Sequence, residues 1–516
     1  MALENLLKKP IADASTSSEE ANILIYDVGS TYTKVCAYSL RASCGGERWE
    51  SVLIFLGHGL APTTLEDVML GVENAKASIG VQGIPFAKDL RSYASCSAAG
   101  GLNMVAMGYM AEITAKAAKE VAMNAGARVM GIISSDTSPE DSMSILKDTK
   151  ADIILLAGGT DGGEGKSALK HAQLIVKSKS AATVVIACNK DIQKEVAAYL
   201  DSAFVPNVQV ANIMPAIHKL NVQPAREAIH QQFIRQITRI KGLERLEALL
   251  ADNTLVPTPG AVLMACELLA KGTYRQKGEG PVALIDLGGA TTDIHSAIPE
   301  FEKVSFDKQH LVVENQKHFS HRTVEGNLGL RISATDILET AGPYTVIDNI
   351  PGHPSGITAE KLSAYTQKLA QTPSHIPQNQ EEKAMDKALA TTAIAIALRR
   401  HAGRIAKEEN LGMNTSEEAT IGRDLRYLKR IYVSGGIFCH LSEEESKEIL
   451  IKAFENPGLS LLPTAPSFYF DPNYTLYAMG VLSRHFPDPV FSYLKMLRMQ
   501  ANITGKNKIE DYHNGQ

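Results

Sequence analysis

An α/β protein of two related halves, with a doubly wound α/β block set between them, is predicted from three observations. Residues 23–35 read I-L-I-Y-D-V-G-S-T-Y-T-K-V, an apolar strand ending in Asp27, then Gly29, then hydroxyls and Lys34. Residues 282–295 read V-A-L-I-D-L-G-G-A-T-T-D-I-H and repeat the plan with Asp286, Gly288 and Gly289, then Thr291, Thr292 and Asp293. Between them, residues 90–215 alternate continuous apolar runs with amphipathic stretches, the rhythm of a parallel sheet covered by helices.

Each hairpin has a chemical reading. A strand that hands over to glycine lets backbone amides approach a phosphate with no Cβ in the way. Ser30, Thr31 and Thr33 in the first, and Thr291 and Thr292 in the second, can donate hydroxyl hydrogen bonds to the same oxygens. Asp27 and Asp286 stand where each could hold a hydrated magnesium ion, and Lys34 would add a point charge. Neither stretch is a Walker loop, because no G-x-x-x-x-G-K-S/T occurs there. Neither is a Rossmann fingerprint, because strand rather than helix follows the glycines. Taken alone, each could be a tight hairpin in a core sheet. Two in one chain suggest two halves facing one phosphate chain.

Composition narrows the class. With 516 residues, 44% hydrophobic and 21% charged, the chain is an ordinary globular protein with room for about two to four domains. Its net charge of −5 offers no global attraction to nucleic acid or an anionic membrane. Cys36, Cys44, Cys96, Cys188, Cys266 and Cys439 form no C-x-x-C pair and read as reduced thiols. No apolar run approaches the ~20 residues of a membrane span. Residues 1–21 are polar and Ser-rich, without the apolar core of a secretory signal. A cytoplasmic protein with a poorly ordered N-terminal tail is expected.

Taken in order, residues 22–89 are expected to form a first lobe, with strands at 23–26, 35–40 and 52–55. A helix follows over 64–79, capped by Thr64 and carrying Leu65, Val68, Met69, Val72 and Ala75 on one face. Residues 90–215 are expected to form an inserted or elaborated α/β domain, with strands at 102–109, 128–134, 152–157, 183–188 and 208–213. Its helices are expected at 112–124, 139–147, 166–177 and 191–203. The loop 158–163, G-G-T-D-G-G, lies at the carboxyl end of a central strand, where open α/β sheets bind ligands. Alternatively, its glycines only permit a sharp turn, as could those of 98–101. The D-x-H-x-x-G cobalamin motif is absent. Residues 216–257 read as a helical connection, whose basic run lacks the interleaved aromatics of a nucleic-acid patch. A second lobe is expected over 258–486, with a strand pair at 304–313 and a surface excursion at 350–382. A long helix over 385–411 would end at a Gly412 cap, with Arg399, Arg400, His401 and Arg404 in its second half. His295, His321 and His401 have no partner at i+4 and read as structural. Residues 487–516 read as a C-terminal helix and tail.

Residues 27–34, D-V-G-S-T-Y-T-K, and 286–293, D-L-G-G-A-T-T-D, resemble phosphate motifs one and two of the actin/sugar-kinase/heat-shock-chaperone superfamily. Residues 431–438, I-Y-V-S-G-G-I-F, resemble its adenosine motif. The small-residue stretches 259–272 and 477–482 are similar to its two interdomain connectors. More narrowly, the chain resembles the MutL/GlmL family, accessory proteins encoded beside adenosylcobalamin-dependent glutamate mutase. That resemblance is carried also by S-A-A-G-G-L-N-M at 97–104, L-L-A-G-G-T-D-G-G at 155–163, T-P-G-A-V at 258–262, T-V-E-G-N-L-G-L at 323–330 and V-S-G-G at 433–436.

The resemblance implies a two-lobed actin-like ATPase of duplicated ribonuclease-H-like domains, with ATP and Mg2+ between the lobes. Asp27, Gly29, Ser30, Thr31, Thr33 and Lys34 would bind the nucleotide from one side. Asp286, Gly288, Gly289, Ala290, Thr291, Thr292 and Asp293 would bind it from the other, with Ser434, Gly435 and Gly436 at the adenosine. Asp27 and Asp286 would hold the metal. The implied partner is an adenosylcobalamin-dependent mutase, glutamate mutase first, which the protein would serve as a reactivating, chaperone-like factor. In the heat-shock chaperones a glutamate stands just before the connector's proline. Here Thr258 holds that place, so slow hydrolysis is expected and no catalytic base is assigned. Glu325 and Gly326 follow motif two, where an adenine or ribose contact and a capped helix start are both open. A sugar-type kinase using Asp293 or Asp161 as base, or an actin-like structural ATPase, is the alternative function.

Overall fold

The computed structural model describes residues 19–503 apart from 30–31, 46–47, 65, 98–101, 111–126, 217–220, 222–223, 226, 230, 233–240, 254, 300–318, 351–355 and 406–419. β1 (Ala21–Val28) is buried along almost its whole length, so it belongs at the centre of a sheet. β2 (Tyr32–Gly45) folds back antiparallel on it, and β3 (Arg48–Pro62) on β2. α1 (Val68–Val81) covers one face with Val68, Met69, Val72, Ala75 and Ile79. β4 (Phe86–Cys96) then pairs parallel with the other side of β1.

The chain next builds β5 (Leu102–Met107), β6 (Ala127–Ile133), α2 (Pro139–Asp148), β7 (Ile153–Leu156), α3 (Lys166–Ser178), β8 (Thr183–Ile186), α4 (Gln193–Ser202) and β9 (Asn207–Gln209). Its sheet is wholly parallel, ordered β6-β5-β7-β8-β9. Val105, Met107, Ile154, Leu156, Val184 and Ile186 bury one face under the helices, alongside Ala172, Val196 and Leu200. On the other face Met104, Ala106, Ile153 and Leu155 join the core that α1 also enters. Apolar residues on both faces are what a covered parallel sheet requires. After α5 (Leu243–Leu249), β10 (Leu255–Pro257) pairs with β4 and completes the first sheet. The chain enters α6 (Thr258–Lys271) without a break.

The second lobe repeats the plan. β11 (Val282–Leu287), β12 (Thr292–Ala297) and β13 (Ser320–Glu325) are antiparallel. Helices α7 (Ala334–Ala341), α8 (Pro343–Asp348), α9 (Ala359–Gln371) and α10 (Gln380–His401) follow. A small ladder joins β14 (Arg404–Ile405) to β15 (Thr420–Ile421). β16 (Arg430–Ser434) and β17 (Ser467–Phe470), with α11 (Glu443–Phe454) between them in the chain, then extend the sheet in parallel. α12 (Leu476–Ser483) and α13 (Pro487–Ile503) end the described chain. Counted within each lobe, both sheets have strand order 3-2-1-4-5, as β3-β2-β1-β4-β10 and β13-β12-β11-β16-β17. This is the expected duplicated ribonuclease-H-like architecture.

Several expectations change. The α1 cap is Asp67, whose carboxylate accepts from Met69 N–H, whereas the Thr64 hydroxyl donates to the Asp67 carbonyl. The hairpin strands β2 and β3 run well past their apolar stretches, because they pair with each other beyond the end of β1. β4 crosses the expected boundary at 89/90 and β10 lies in the expected connection, yet both belong to the first sheet. β9 is only three residues long. Residues 350–382 are not simply a surface excursion, since α9 is capped by Thr358 and buries Leu362, Tyr365 and Leu369. The long helix begins earlier and ends at His401, not at Gly412. At Ala402 the backbone turns extended, and Gly403 bonds instead to Arg423 and Leu461. The expected helix at 112–124, the strand pair at 304–313, Gly412 and residues 1–18 lie outside the described residues. Among the described residues no helix is long and apolar enough to cross a membrane.

α6 and α12 cross between the two sheets, sharing a core with Ile23, Ile25 and Tyr38 of one and Val282 and Leu284 of the other. At the crossing a Cβ on Gly480 would stand 1.7 Å from the Ala261 carbonyl oxygen. Gly480→Ala is therefore expected to destabilise the protein by ~1–3 kcal/mol through overpacking, read as a lower urea midpoint. At an open helix position the same change would instead stabilise by ~1 kcal/mol, so the sign of the shift decides.

Candidate functional site

Asp27 lies near the end of β1 and is almost fully buried. The strand register sets Lys34 opposite it on β2 and Ser95 opposite it on β4. Ser95 Oγ donates to Asp27 Oδ1 at 3.0 Å, and Thr258 Oγ1 donates to the same oxygen at 2.6 Å. Lys34 Nζ lies 3.6 Å from Asp27 Oδ2. Gly29 closes the turn on Tyr32, whose carbonyl would be 2.7 Å from any Cβ there. Thr33 is turned the other way, into the core. Its hydroxyl lies 3.1 Å from that of Thr63, which donates to the Gly29 carbonyl. Ser30 and Thr31 lie outside the described residues.

The second hairpin repeats this geometry with different chemistry. Asp286 on β11 faces Asp293 on β12 and Ser434 on β16, in the registers that Asp27 shares with Lys34 and Ser95. Asp293 is bound by a residue that sequence reasoning missed, the buried Arg322 of β13. Arg322 Nη2 lies 2.8 Å and Nε 3.2 Å from Asp293 Oδ1. Only the long-range pairing of β12 with β13 makes that contact predictable. Thr291 Oγ1 donates to Asp293 Oδ2 at 3.0 Å. Thr292, like Thr33, is buried away from the cleft and donates to the Leu328 carbonyl.

Residues 328–333 hold the second turn from behind. The Leu330 amide bonds to the Gly288 carbonyl, those of Arg331 and Ile332 bond to the Gly289 carbonyl, and Ser333 Oγ bonds to the Ala290 carbonyl. The carbonyl and N–H of one peptide point opposite ways. The amides of Gly289, Ala290 and Thr291 are thus directed away from this segment. A Cβ on Gly329 would overlap Ala290, which accounts for a glycine in 323–330. Glu325 is ion-paired with Arg400.

Two further residues missed from sequence complete the cleft. Asp471 follows β17 and is buried, receiving Ser434 Oγ at 3.0 Å, Thr475 Oγ1 at 2.9 Å and the Leu476 amide at 2.9 Å. It thereby caps α12. Tyr474 OH donates to Asp286 Oδ1 at 3.1 Å, while Lys34 Nζ sits 3.4 Å over the Tyr474 ring. Gly435 has φ +138 and passes so close to Leu287 that a Cβ would lie 2.4 Å from its carbonyl oxygen, whereas Gly436 faces open space.

Burial, with the nearby Asp293 and Asp27 adding to it, pushes the Asp286 carboxyl up to about 7 against the pull of Lys34 and Tyr474. A carboxylate in that condition is relieved by a cation. Among the described residues no three His, Cys, Asp or Glu side chains come together as a metal cage. Magnesium, which keeps most of its waters and uses one or two carboxylates with phosphate, suits the donor set of Asp27 and Asp286.

Elsewhere, Asp161 accepts from Asn212 Nδ2 at 2.8 Å and from the Lys190 amide at 3.1 Å. The 158–163 loop is further tied down by Asn189 and Asn212. His401, with Ser296 at 2.8 Å and Thr323 at 3.0 Å, is buried in the second lobe, and burial lowers its pKa well below the usual histidine value.

A family model described as MutL protein matches residues 23–496. Protein MutL of Clostridium tetanomorphum is 35% identical over 480 residues, covering 92% of this chain and 98% of that one. Among solved structures, a glycerol dehydratase reactivase overlaps 90% of this chain and 99% of its own, at 9% identity and a TM-score of 0.32. A diol dehydratase-reactivating factor in nucleotide-free form overlaps the same shares at 11% identity and a TM-score of 0.31. A xylulose kinase from Lactobacillus acidophilus overlaps 93% and 97%, at 9% identity and 0.29. Overlaps at such TM-scores carry no argument, and the fold assignment stands on the two strand orders.

The buried Arg322–Asp293 pair generates a prediction. Arg322→Met should cost ~3–5 kcal/mol, because it strands a buried carboxylate. Combining it with Asp293→Asn should restore most of that loss. Urea midpoints of the two single variants and the double check it, and additive losses would contradict the pairing.

Proposed function

Since this chain belongs to the MutL family, we propose that it is an ATP-binding, slowly ATP-hydrolysing accessory protein that reactivates an adenosylcobalamin-dependent mutase, glutamate mutase first. The nucleotide part rests chiefly on one observation. Two carboxylates, the buried Asp27 and the half-buried Asp286, lie near the ends of equivalent strands of two duplicated sheets, and a lysine of one lobe reaches toward both. In this reading Asp27 and Asp286 hold Mg2+, largely through water, and the bound metal supplies charge neutralisation at the phosphates. Lys34 adds a second positive charge. The amides of Gly289, Ala290 and Thr291 and the hydroxyl of Thr291 face the phosphates, with Gly29 opposite, and the family resemblance adds Ser30 and Thr31 to the binding set. Ser434, Gly435 and Gly436 lie beneath the nucleoside. Thr33 and Thr292 shape the two turns from inside the core, and Asp293 orients Thr291. Thr258 offers a neutral hydroxyl already bonded to Asp27, which supports slow turnover. Asp293 is tied to Arg322 and Thr291, so it is poorly placed to act as the free base of a small-molecule kinase.

Two experiments test the proposal. Asp27→Asn and Asp286→Asn should each reduce magnesium-dependent phosphate release by about 100-fold, with the circular dichroism spectrum unchanged. Wild-type rates in both variants would remove the nucleotide site.

The partner is tested separately. A mutase holding a damaged cobalamin would be mixed with this protein, fresh adenosylcobalamin and either ATP or ADP. Recovery of mutase activity is expected only with ATP. Equal recovery with ATP, with ADP and without the protein would sink the partner assignment while leaving the nucleotide site standing.

A further inference from the structure

Lys34, which lies beside Asp27, and Asp286 are joined by a side chain that belongs to neither hairpin. Tyr474 lies in the short link from β17 to α12 with φ +54, a left-handed conformation that costs an aromatic residue energy. The surroundings impose it. The Tyr474 amide bonds to the Asp471 carbonyl at 3.3 Å, and the next two amides bond to Asp471 Oδ2 at 2.5 and 2.9 Å. Asp471 is itself fixed by Ser434 and by the Thr475 hydroxyl. Strain held by this many bonds serves to place a side chain, and what it places is a phenol between the two hairpins.

The ring and the hydroxyl have different contacts. The ring lies 3.4 Å beneath Lys34 Nζ, a group of the first lobe. The hydroxyl donates to Asp286 Oδ1, a group of the second. A residue serving only to fill the core would need neither contact, and the packing of its ring against Tyr477 would suffice. We infer that Tyr474 is a positioning residue that holds Lys34 and Asp286 in register across the cleft, so that charge from one lobe and metal-holding carboxylate from the other meet the same phosphates. The inference rests on the nucleotide reading above and adds a residue to it.

By this account the ring keeps an ammonium close by cation–π attraction, and the hydroxyl occupies one oxygen of Asp286, leaving the other to face the cleft. The two functions separate by substitution. Tyr474→Phe keeps the ring and loses the hydroxyl, and Tyr474→Leu loses both. The measurements are made on the full chain: the Kd for Mg-ATP by calorimetry, phosphate release at saturating ATP, and Tm. For Tyr474→Phe, Kd should stay within about twofold of wild type. Its turnover should fall roughly tenfold, the factor given by loss of one hydrogen bond to a charged group. For Tyr474→Leu, turnover should fall at least as far and Kd should rise about fivefold.

This split between affinity and turnover is what a purely structural residue would not produce. Such a residue would lower Tm and leave both constants of the folded fraction unchanged. Wild-type constants in Tyr474→Phe and Tyr474→Leu overturn the inference while the nucleotide reading stands. If Tyr474→Leu folds poorly, Tyr474→Phe decides alone, because it preserves the packing. If the wild-type chain neither binds nor hydrolyses Mg-ATP, the nucleotide reading fails and this inference falls with it.

Discussion

Two carboxylates at the ends of equivalent strands, Asp27 buried and Asp286 half-buried, set the terms for the rest of the cleft. A buried charge is tolerated only when it is paired or hydrogen-bonded. Asp27 meets that condition within its own lobe and at its edge, through Ser95, Thr258 and Lys34. Asp286 does not. The position that carries Lys34 in the first hairpin carries Asp293 in the second, so the duplicated register adds a negative charge instead of a positive one. Arg322 neutralises Asp293, and Asp286 is left with a phenol and a carboxyl pushed up to about 7. The same strand plan occurs twice, with Lys34 in one copy and Asp293 in the other at the equivalent position. The second lobe's carboxylate draws on the charge of Lys34, a residue of the first.

Much of this was legible in the sequence because the signals are local. A strand, an aspartate, a glycine and a hydroxyl follow one another within eight residues, and such a run reports its own turn. The parallel insertion was legible for the same reason, since apolar runs between amphipathic stretches state their burial directly. What stayed hidden depends on partners far along the chain. Arg322 is adjacent to the 323–330 stretch, yet its meaning comes from β12, 29 residues away from it at Asp293. Asp471 and Tyr474 carry no local signal of their role until Ser434 and Asp286 are brought against them. The threonines show the opposite error. Composition places Thr33 and Thr292 with the phosphate-facing hydroxyls, but strand alternation sends every second side chain to the other face.

The glycine-rich loop of the insertion shows how a motif can be mechanically necessary without an open ligand place. At Gly159, φ is +69 and a Cβ would collide with the Glu164 carbonyl, so the turn itself demands glycine. α3 starts just beyond. There Glu164 accepts from both the amide and the hydroxyl of Ser167. A helix N-terminus attracts an anion, and here the chain provides its own. Asp161, Asn189 and Asn212 then lock the loop to its neighbours, which makes it a rigid face on the insertion.

The placement of the two crossing helices bears on how a small change in the cleft could reach the lobes. α6 begins at Thr258, whose hydroxyl is on Asp27, and α12 begins just after Tyr474, held by Asp471 and through it by Ser434. Both helices therefore start at the site, one from each carboxylate's neighbourhood. They meet at Gly480 and Ala261, where the backbones are too close to slide past a side chain. A contact this tight transmits rotation better than it absorbs it, because packed interfaces have discrete arrangements and little compressibility. Shifting the balance between two such arrangements tenfold takes only ~1.4 kcal/mol, about the worth of one hydrogen bond to a charged group. Gain or loss of a single bond at Asp27 or Asp286 is thus of the size that would shift such a balance tenfold.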